Sequence, residues 1–72
     1  MDKEIADKIK AYTLRIDDTI LSLHEIRDTL VGIGIHHPKE YDILKVFNCM
    51  RDLNSAIKGL NNAKTSLESL IK

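Results

Sequence analysis

The sequence predicts an all-α fold, an antiparallel hairpin of two helices that completes its core with a partner chain. Two stretches with helical periodicity fill nearly the whole chain of 72 residues, and the only proline, Pro38, stands between them. Two glycines, Gly32 and Gly34, lie just before that proline. One short corner between two helices of similar length places them side by side and antiparallel. We therefore expect residues 1–72 to form a single, coiled-coil-like helical hairpin.

The first helix is predicted over about 3–31, with Asp2 as its N-cap. Apolar residues recur at alternating steps of four and three, the heptad pattern of helices packed side by side. The predicted seam consists of Ile5, Ile9, Tyr12, Ile16, Thr19, Leu23, Ile26 and Leu30. Leu14 and Leu21 lie nearly opposite that seam, and they are either scattered surface leucines or a small ridge that faces a partner.

The corner is predicted over residues 32–37. Glycine adopts a positive φ without steric cost, so Gly32 and Gly34 can end the first helix with a left-handed cap. Pro38 lacks the N–H group that the first helical position leaves unpaired, and its φ already suits a helix. The second helix is therefore expected to begin at Pro38.

The second helix is predicted over about 38–71, and its apolar surface is wider than one neighbouring helix requires. Its seam consists of Ile43, Val46, Met50, Leu53, Ile57, Leu60, Leu67 and Ile71. The charged Lys64 stands at the one seam position where the spacing would place an apolar residue. Further apolar residues flank this seam, with Phe47 on one side and Cys49, Ala56, Ala63 and Leu70 on the other. Together they exceed the roughly 100° stripe that suffices to face one core. This width indicates that the hairpin buries further surface against another chain.

Composition restricts the classes of partner. The chain has 11 basic and 11 acidic residues, whereas nucleic-acid binders usually carry a basic excess, so no nucleic-acid partner is expected. The single cysteine allows no disulfide within the chain and fits a reducing compartment. No apolar run approaches the roughly 18 residues of a membrane span. We expect a cytoplasmic protein without a membrane span.

The candidate groups for chemistry are His36, His37 and Cys49. Structural zinc requires four ligands at characteristic spacing, and the sequence has no CxxC or HxxxH pair to supply them. Nucleophilic catalysis by Cys49 would require a partner histidine and an electropositive setting, which the neighbouring sequence does not indicate. We therefore predict no metal, no cofactor and no enzymatic activity.

The corner and the second helix resemble a known family. The residues from Gly32 to Gly34, then Pro38-Lys39-Glu40-Tyr41, and then Ser55-Ala56-Ile57 are similar to those of the small YscE-type co-chaperones of type III secretion. In that family a helical hairpin of similar size turns through a glycine-containing corner into a short polar stretch ending in tyrosine. Length and layout match over essentially the whole chain, and the EscE-like version is the most similar.

The resemblance implies a specific function. Members of the family bind a tetratricopeptide-like chaperone in the bacterial cytoplasm, and the pair keeps the needle subunit of the secretion system soluble and unpolymerised. By this resemblance, Tyr41 would occupy the tyrosine position of the family. The residues expected to contact the partner are Leu14, Ile20, Leu21, Val31, Tyr41, Phe47, Ala56, Ala63 and Leu70.

The alternative is a Rop-like homodimer, a four-helix bundle of two hairpins that acts as an RNA-binding or regulatory adaptor. In this alternative a second copy of the chain buries the surplus apolar surface, and no other protein is needed. The sequence also allows a homo-oligomer of a co-chaperone chain when its partner chaperone is absent. The zero net charge and the lack of a basic stripe along either helix oppose RNA binding.

Overall fold

A computed structural model of the chain describes residues 2–71, which form two long helices packed against each other. Helix α1 spans Lys3–His36 and helix α2 spans Ile43–Ser69. The hairpin measures 56 × 15 × 12 Å, and the described residues contain no strand. The predicted all-helical architecture, with two helices packed side by side, is confirmed.

An aspartate caps the N-terminus of each helix. Asp2 Oδ1 accepts a hydrogen bond from the Glu4 N–H at 2.9 Å, as the sequence predicted. At the start of α2, Asp42 Oδ1 accepts from the Lys45 N–H at 3.2 Å. Such a cap satisfies one of the four N–H groups that a helix start leaves unpaired, so α2 begins at Ile43 and not at Pro38.

The corner occupies residues 37–42, five residues later than predicted. Helix α1 continues through Gly32 and Gly34, neither of which has a positive φ. The helix ends where the residue before a proline is driven out of the helical region. That residue is His37, with φ −131° and ψ 43°, and its N–H donates to the Ile33 carbonyl at 2.8 Å. Proline sterics, rather than glycine freedom, therefore end α1.

The predicted seam of α2 agrees with the structure at every position. Val46 and Ile57 are buried. The half-buried positions of the same seam are Ile43, Met50, Leu53, Leu60, Lys64, Leu67 and Ile71.

The predicted seam of α1 is right in one row of residues and wrong in the other. The row of Ile9, Ile16, Leu23 and Leu30 is buried or half-buried, as expected. The second predicted row, Ile5, Tyr12, Thr19 and Ile26, is exposed. The row one position further along the chain takes its place against α2, namely Ala6, Thr13, Ile20 and Arg27. The rows that begin at Ile5 and Ala6 flank the Ile9 row on opposite sides, and each repeats every seven residues. Either row therefore forms a heptad seam together with the Ile9 row.

Candidate functional site

Two polar contacts across the seam fix the alignment of the helices. Asp17 Oδ1 lies 2.8 Å from Lys64 Nζ, and Arg27 donates to Asn54 Oδ1 at 3.3 Å. From the first contact to the second, α1 advances ten residues, from Asp17 to Arg27, and α2 goes back ten residues, from Lys64 to Asn54. The helices are therefore antiparallel and keep one register between these contacts. The buried Thr13 hydroxyl donates to the Lys10 carbonyl at 2.7 Å within α1.

The Asp17–Lys64 contact also shifts a pKa. The hydrogen bond to Asp17 raises the pKa of Lys64 above its ordinary 10.5, and the negative charges of Asp17 and Glu68 act in the same direction. Partial desolvation opposes these effects but does not cancel them. The charged lysine is therefore held at a seam position that an apolar side chain would otherwise fill.

The side of the hairpin that faces away from the Asp17–Lys64 and Arg27–Asn54 contacts carries apolar residues from both helices. We call this side the open face. Residues seven apart lie on one line along a helix, and corresponding flanks of antiparallel helices face the same side. The open face consists of a row on α1, Ile5, Tyr12, Thr19, Ile26 and Ile33, and a row on α2, Cys49, Ala56, Ala63 and Leu70. All of these residues are exposed except Ile33, which is half-buried, and all are apolar or aromatic except Thr19. A hollow between the helices is lined by members of both rows, Ile26 and Cys49, together with Leu30, Leu53 and the charged Asp52.

The open face exposes large side chains. Ile5, Tyr12, Ile26 and Leu70 are each 44–56 % exposed, although all four are apolar or aromatic. The total accessible surface is 5473 Å². A compact monomer of 8.2 kDa is expected to expose about 4,500 Å², so the hairpin has a surplus of about 900 Å². The elongated hairpin therefore exposes more surface, polar and apolar together, than a compact fold of the same mass.

Each helix has a second heptad seam that points toward the open face. In α1 this second seam is the one predicted from the sequence. It combines the exposed row that begins at Ile5 with the row from Ile9 to Leu30. In α2 it consists of Cys49, Leu53, Ala56, Leu60, Ala63, Leu67 and Leu70, without a charged residue. A helix with two adjoining seams is suited to contact two neighbouring helices, as in a bundle. The hairpin supplies one of these neighbours.

The two rows of the open face differ in side-chain size. The α1 row is bulky except at its central Thr19, whereas the α2 row is small at its centre, where Ala56 and Ala63 lie. Gly59 adjoins this small row, and a Cβ atom built on it would meet nothing within 4 Å. Glycine in a helix interior costs about 1 kcal/mol of stability relative to alanine. Because a side chain at position 59 would have room, no close contact within the described hairpin explains why a glycine stands there.

The structure distributes the predicted contact residues over several surfaces. Ala56, Ala63 and Leu70 lie on the open face and are exposed. Ile20 is half-buried in the row of α1 that packs against α2. The other predicted residues are exposed but lie outside the open face. Leu14 and Leu21 lie on the side of α1 that faces away from α2, and Tyr41 lies in the corner. Val31 and Phe47 lie on the side of the hairpin opposite the open face.

The sequence prediction missed Ile5, Tyr12 and Ile26 as accessible residues, because it assigned them to the seam within the hairpin. A comparison of both rows that flank the Ile9 row would have identified two candidate seams in α1. The spacing by itself would not have decided between them.

Other groups are less suggestive of a site. A shallow hollow on α2 is lined by Phe47, Met50, Arg51, Asn54, Ser55 and Lys58. Within residues 2–71, no three His, Cys, Asp or Glu side chains come together as a metal site would require. Neither of the two described helices is long and apolar enough to cross a membrane. Comparisons with protein-family models, with curated proteins and with solved structures found no match to this chain.

Proposed function

We propose that this chain is a non-enzymatic co-chaperone subunit of a type III secretion system. In this proposal it binds and stabilises a tetratricopeptide-like chaperone in the bacterial cytoplasm, and the pair keeps the needle subunit unpolymerised. The observation that supports a binding role is the open face, on which two helices present apolar residues with no neighbour. The resemblance of the corner and the second helix to YscE-type proteins supports the identity of the partner.

The geometry of the open face suits a helical partner. Tetratricopeptide repeats are built from pairs of antiparallel helices, which stack in layers on one another. A two-helix layer with heptad rows on its outer side can extend such a stack by the same ridge-and-groove packing. The hairpin would then act as an additional layer at a repeat surface.

The rim of the open face indicates the charge of the partner surface. The Arg15 guanidinium carbon lies 5.5 Å from the centre of the Tyr12 ring, at the edge of the α1 row. Lys8 lies about two turns before Arg15 on the same edge, and its Nζ lies 3.8 Å from Glu4 Oε1. Basic groups beside an apolar strip favour acidic side chains at the matching edge of a partner. We therefore expect the partner helix to carry Asp or Glu beside its apolar stripe.

Substitution of Ala63 tests the binding role. The tagged chain, expressed in cells that carry a type III secretion system, should co-purify with a helical-repeat protein in about one-to-one ratio. Ala63→Arg places a charged side chain at the centre of the open face, and we expect the affinity to fall roughly 30-fold or more, as for a central interface residue. The matched control is Ala11→Arg on the solvent side of α1, which should leave binding unchanged.

Circular dichroism of both variants checks that each chain stays helical. Normal co-purification of Ala63→Arg would contradict the proposed face. Absence of any helical-repeat protein from the wild-type preparation would contradict the proposed partner.

A further inference from the structure

We infer that α1 has a second packing state against α2, which it reaches by rolling about its own axis. The Asp17–Lys64 and Arg27–Asn54 contacts hold α1 in the observed state, and we call the other the rolled state. The roll turns the α1 row of the open face toward α2, so it controls how much of that face is exposed. This inference concerns the purified chain alone and does not depend on the chaperone proposal.

The two states use the two seams of α1 that share the Ile9 row. In heptad geometry the rows that begin at Ile5 and Ala6 lie about 50° to either side of the Ile9 row, so a roll of about 50° exchanges one seam for the other. A turn this small keeps the Ile9 row in contact with α2 throughout. The helices therefore need not separate for the exchange to occur.

The hollow on the open face gives α1 room to roll. It lies between the helices, with Ile26 on one side and Cys49 and Leu53 on the other. The roll moves Ile26, which is 50 % exposed, toward Leu53 and into this space. Asp52 also lines the hollow, but its side chain is 75 % exposed and can stay in solvent. The space beside Ile26 is thus filled by the chain itself in the rolled state.

The row that leaves the seam in the roll is the more polar of the two. Over the central part of α1, the packed row is Thr13, Ile20 and Arg27, and the row that replaces it is Tyr12, Thr19 and Ile26. Each row has one isoleucine and one threonine, so the roll in effect exchanges an arginine for a tyrosine. Arg27 is half-buried, and its long side chain can extend into solvent. Burial of apolar surface therefore favours the rolled state.

The polar contacts between the helices oppose the roll. Asp17 and Arg27 lie on the side of α1 that turns away from α2, so their contacts with Lys64 and Asn54 break. Lys64 keeps Glu68 of its own helix, 3.9 Å away, and so retains an acidic partner. Contacts between partly exposed groups contribute little to stability, so they offset only a small preference for the rolled state. The two packings therefore lie close in free energy, as in proteins that switch between two states.

Two single-thiol reporters distinguish the states. Ile26→Cys lies on the row that is exposed in the observed state, and Ile20→Cys lies on the row that packs against α2. Each is made in a Cys49→Ala background, which removes the only natural thiol. The rate of reaction with iodoacetamide, a neutral reagent, is divided by the rate for the same chain in urea. A roll must change the two ratios in opposite directions, whereas unfolding raises both.

Asp17→Ala should shift α1 toward the rolled state, because it removes the cross-helix partner of Lys64. We expect the ratio for Ile26→Cys to fall and the ratio for Ile20→Cys to rise, each by about twofold or more. The matched control is Asp18→Ala, which removes the same charge from the neighbouring exposed position. It should leave both ratios unchanged.

A second substitution should reverse the shift. Tyr12→Lys places a charge on the row that the rolled state buries, so its addition to Asp17→Ala should return both ratios to the values of the control. Opposite changes that Tyr12→Lys reverses would support the roll. Unchanged ratios in Asp17→Ala would show that the contact does not choose between the seams. A rise in both ratios would show that the hairpin only loosens, and either of these results would overturn the inference.

Discussion

At the scale of single residues, polar side chains in the seam select how α1 is rotated. Ile5, Tyr12 and Ile26 form a more apolar row than the row that packs against α2, yet they remain exposed. The rotation observed lets Lys64 meet Asp17 and lets Arg27 meet Asn54. An exposed ion pair contributes little to stability, but a charge left in the seam without a partner would cost more. These contacts therefore specify the arrangement more than they stabilise it.

The Lys64 contact leads to a pH-dependent prediction. The folded-state pKa of Lys64 lies above 10.5, so its contribution to stability is fully present below the unfolded-state pKa and is lost as the pH rises through the folded-state pKa. We expect the Tm of the wild-type chain to fall above about pH 10.5 more steeply than that of Lys64→Met. Circular dichroism melts at constant ionic strength measure this difference.

The control for the Lys64 prediction is Lys58→Met, which removes an exposed lysine from α2. Its alkaline melting profile should follow that of the wild-type chain. Equal alkaline profiles for Lys64→Met and the wild-type chain would show that the contact with Asp17 does not persist in solution.

At the scale of the elements, the end of α1 depends on proline rather than on glycine. Gly32 and Gly34 are ordinary helical positions, and a Cβ atom built on either would meet nothing within 4 Å. The helix stops at His36, two residues before Pro38, and the Asp42 cap then starts α2. A corner of six residues results, in which the Glu40 N–H donates to the His37 carbonyl at 3.2 Å.

The helical conformation of the two glycines can be tested by substitution. Gly32→Ala and Gly34→Ala should each increase the free energy of unfolding by about 0.5–1 kcal/mol, because alanine has the higher helix propensity and both sites have room. Urea denaturation monitored by circular dichroism measures the change. A decrease of about 1 kcal/mol or more would instead indicate a positive φ at that glycine and a corner nearer to residue 32.

At the scale of the whole molecule, the hairpin has a very small core of its own. Among residues 2–71, the buried side chains are Ile9, Thr13, Val46 and Ile57, which lie along a single line of contact. Domains of this size rarely gain more than about 3–5 kcal/mol from one core, and this hairpin is thinner than a compact domain. We therefore expect association with another chain to add to its stability.

Association makes the thermal midpoint depend on protein concentration. If the folded chain is a dimer and the unfolded chain is a monomer, a tenfold increase in concentration should raise Tm by roughly 3–5 °C. A Tm that is constant over a hundredfold range for the wild-type chain would indicate that the hairpin is stable as a monomer.

The sequence by itself determined the helical architecture and the seam of α2, where one set of heptad positions is clearly the most apolar. It also indicated the surplus of apolar surface, since the width of the apolar arc on a helix follows from residue spacing. Only the tertiary structure decided which of two flanking rows of α1 meets α2, because both rows satisfy the same spacing and cross-helix polar contacts select between them. It likewise placed the corner at residues 37–42, where proline sterics and an aspartate cap prevail over glycines that a helix can accommodate.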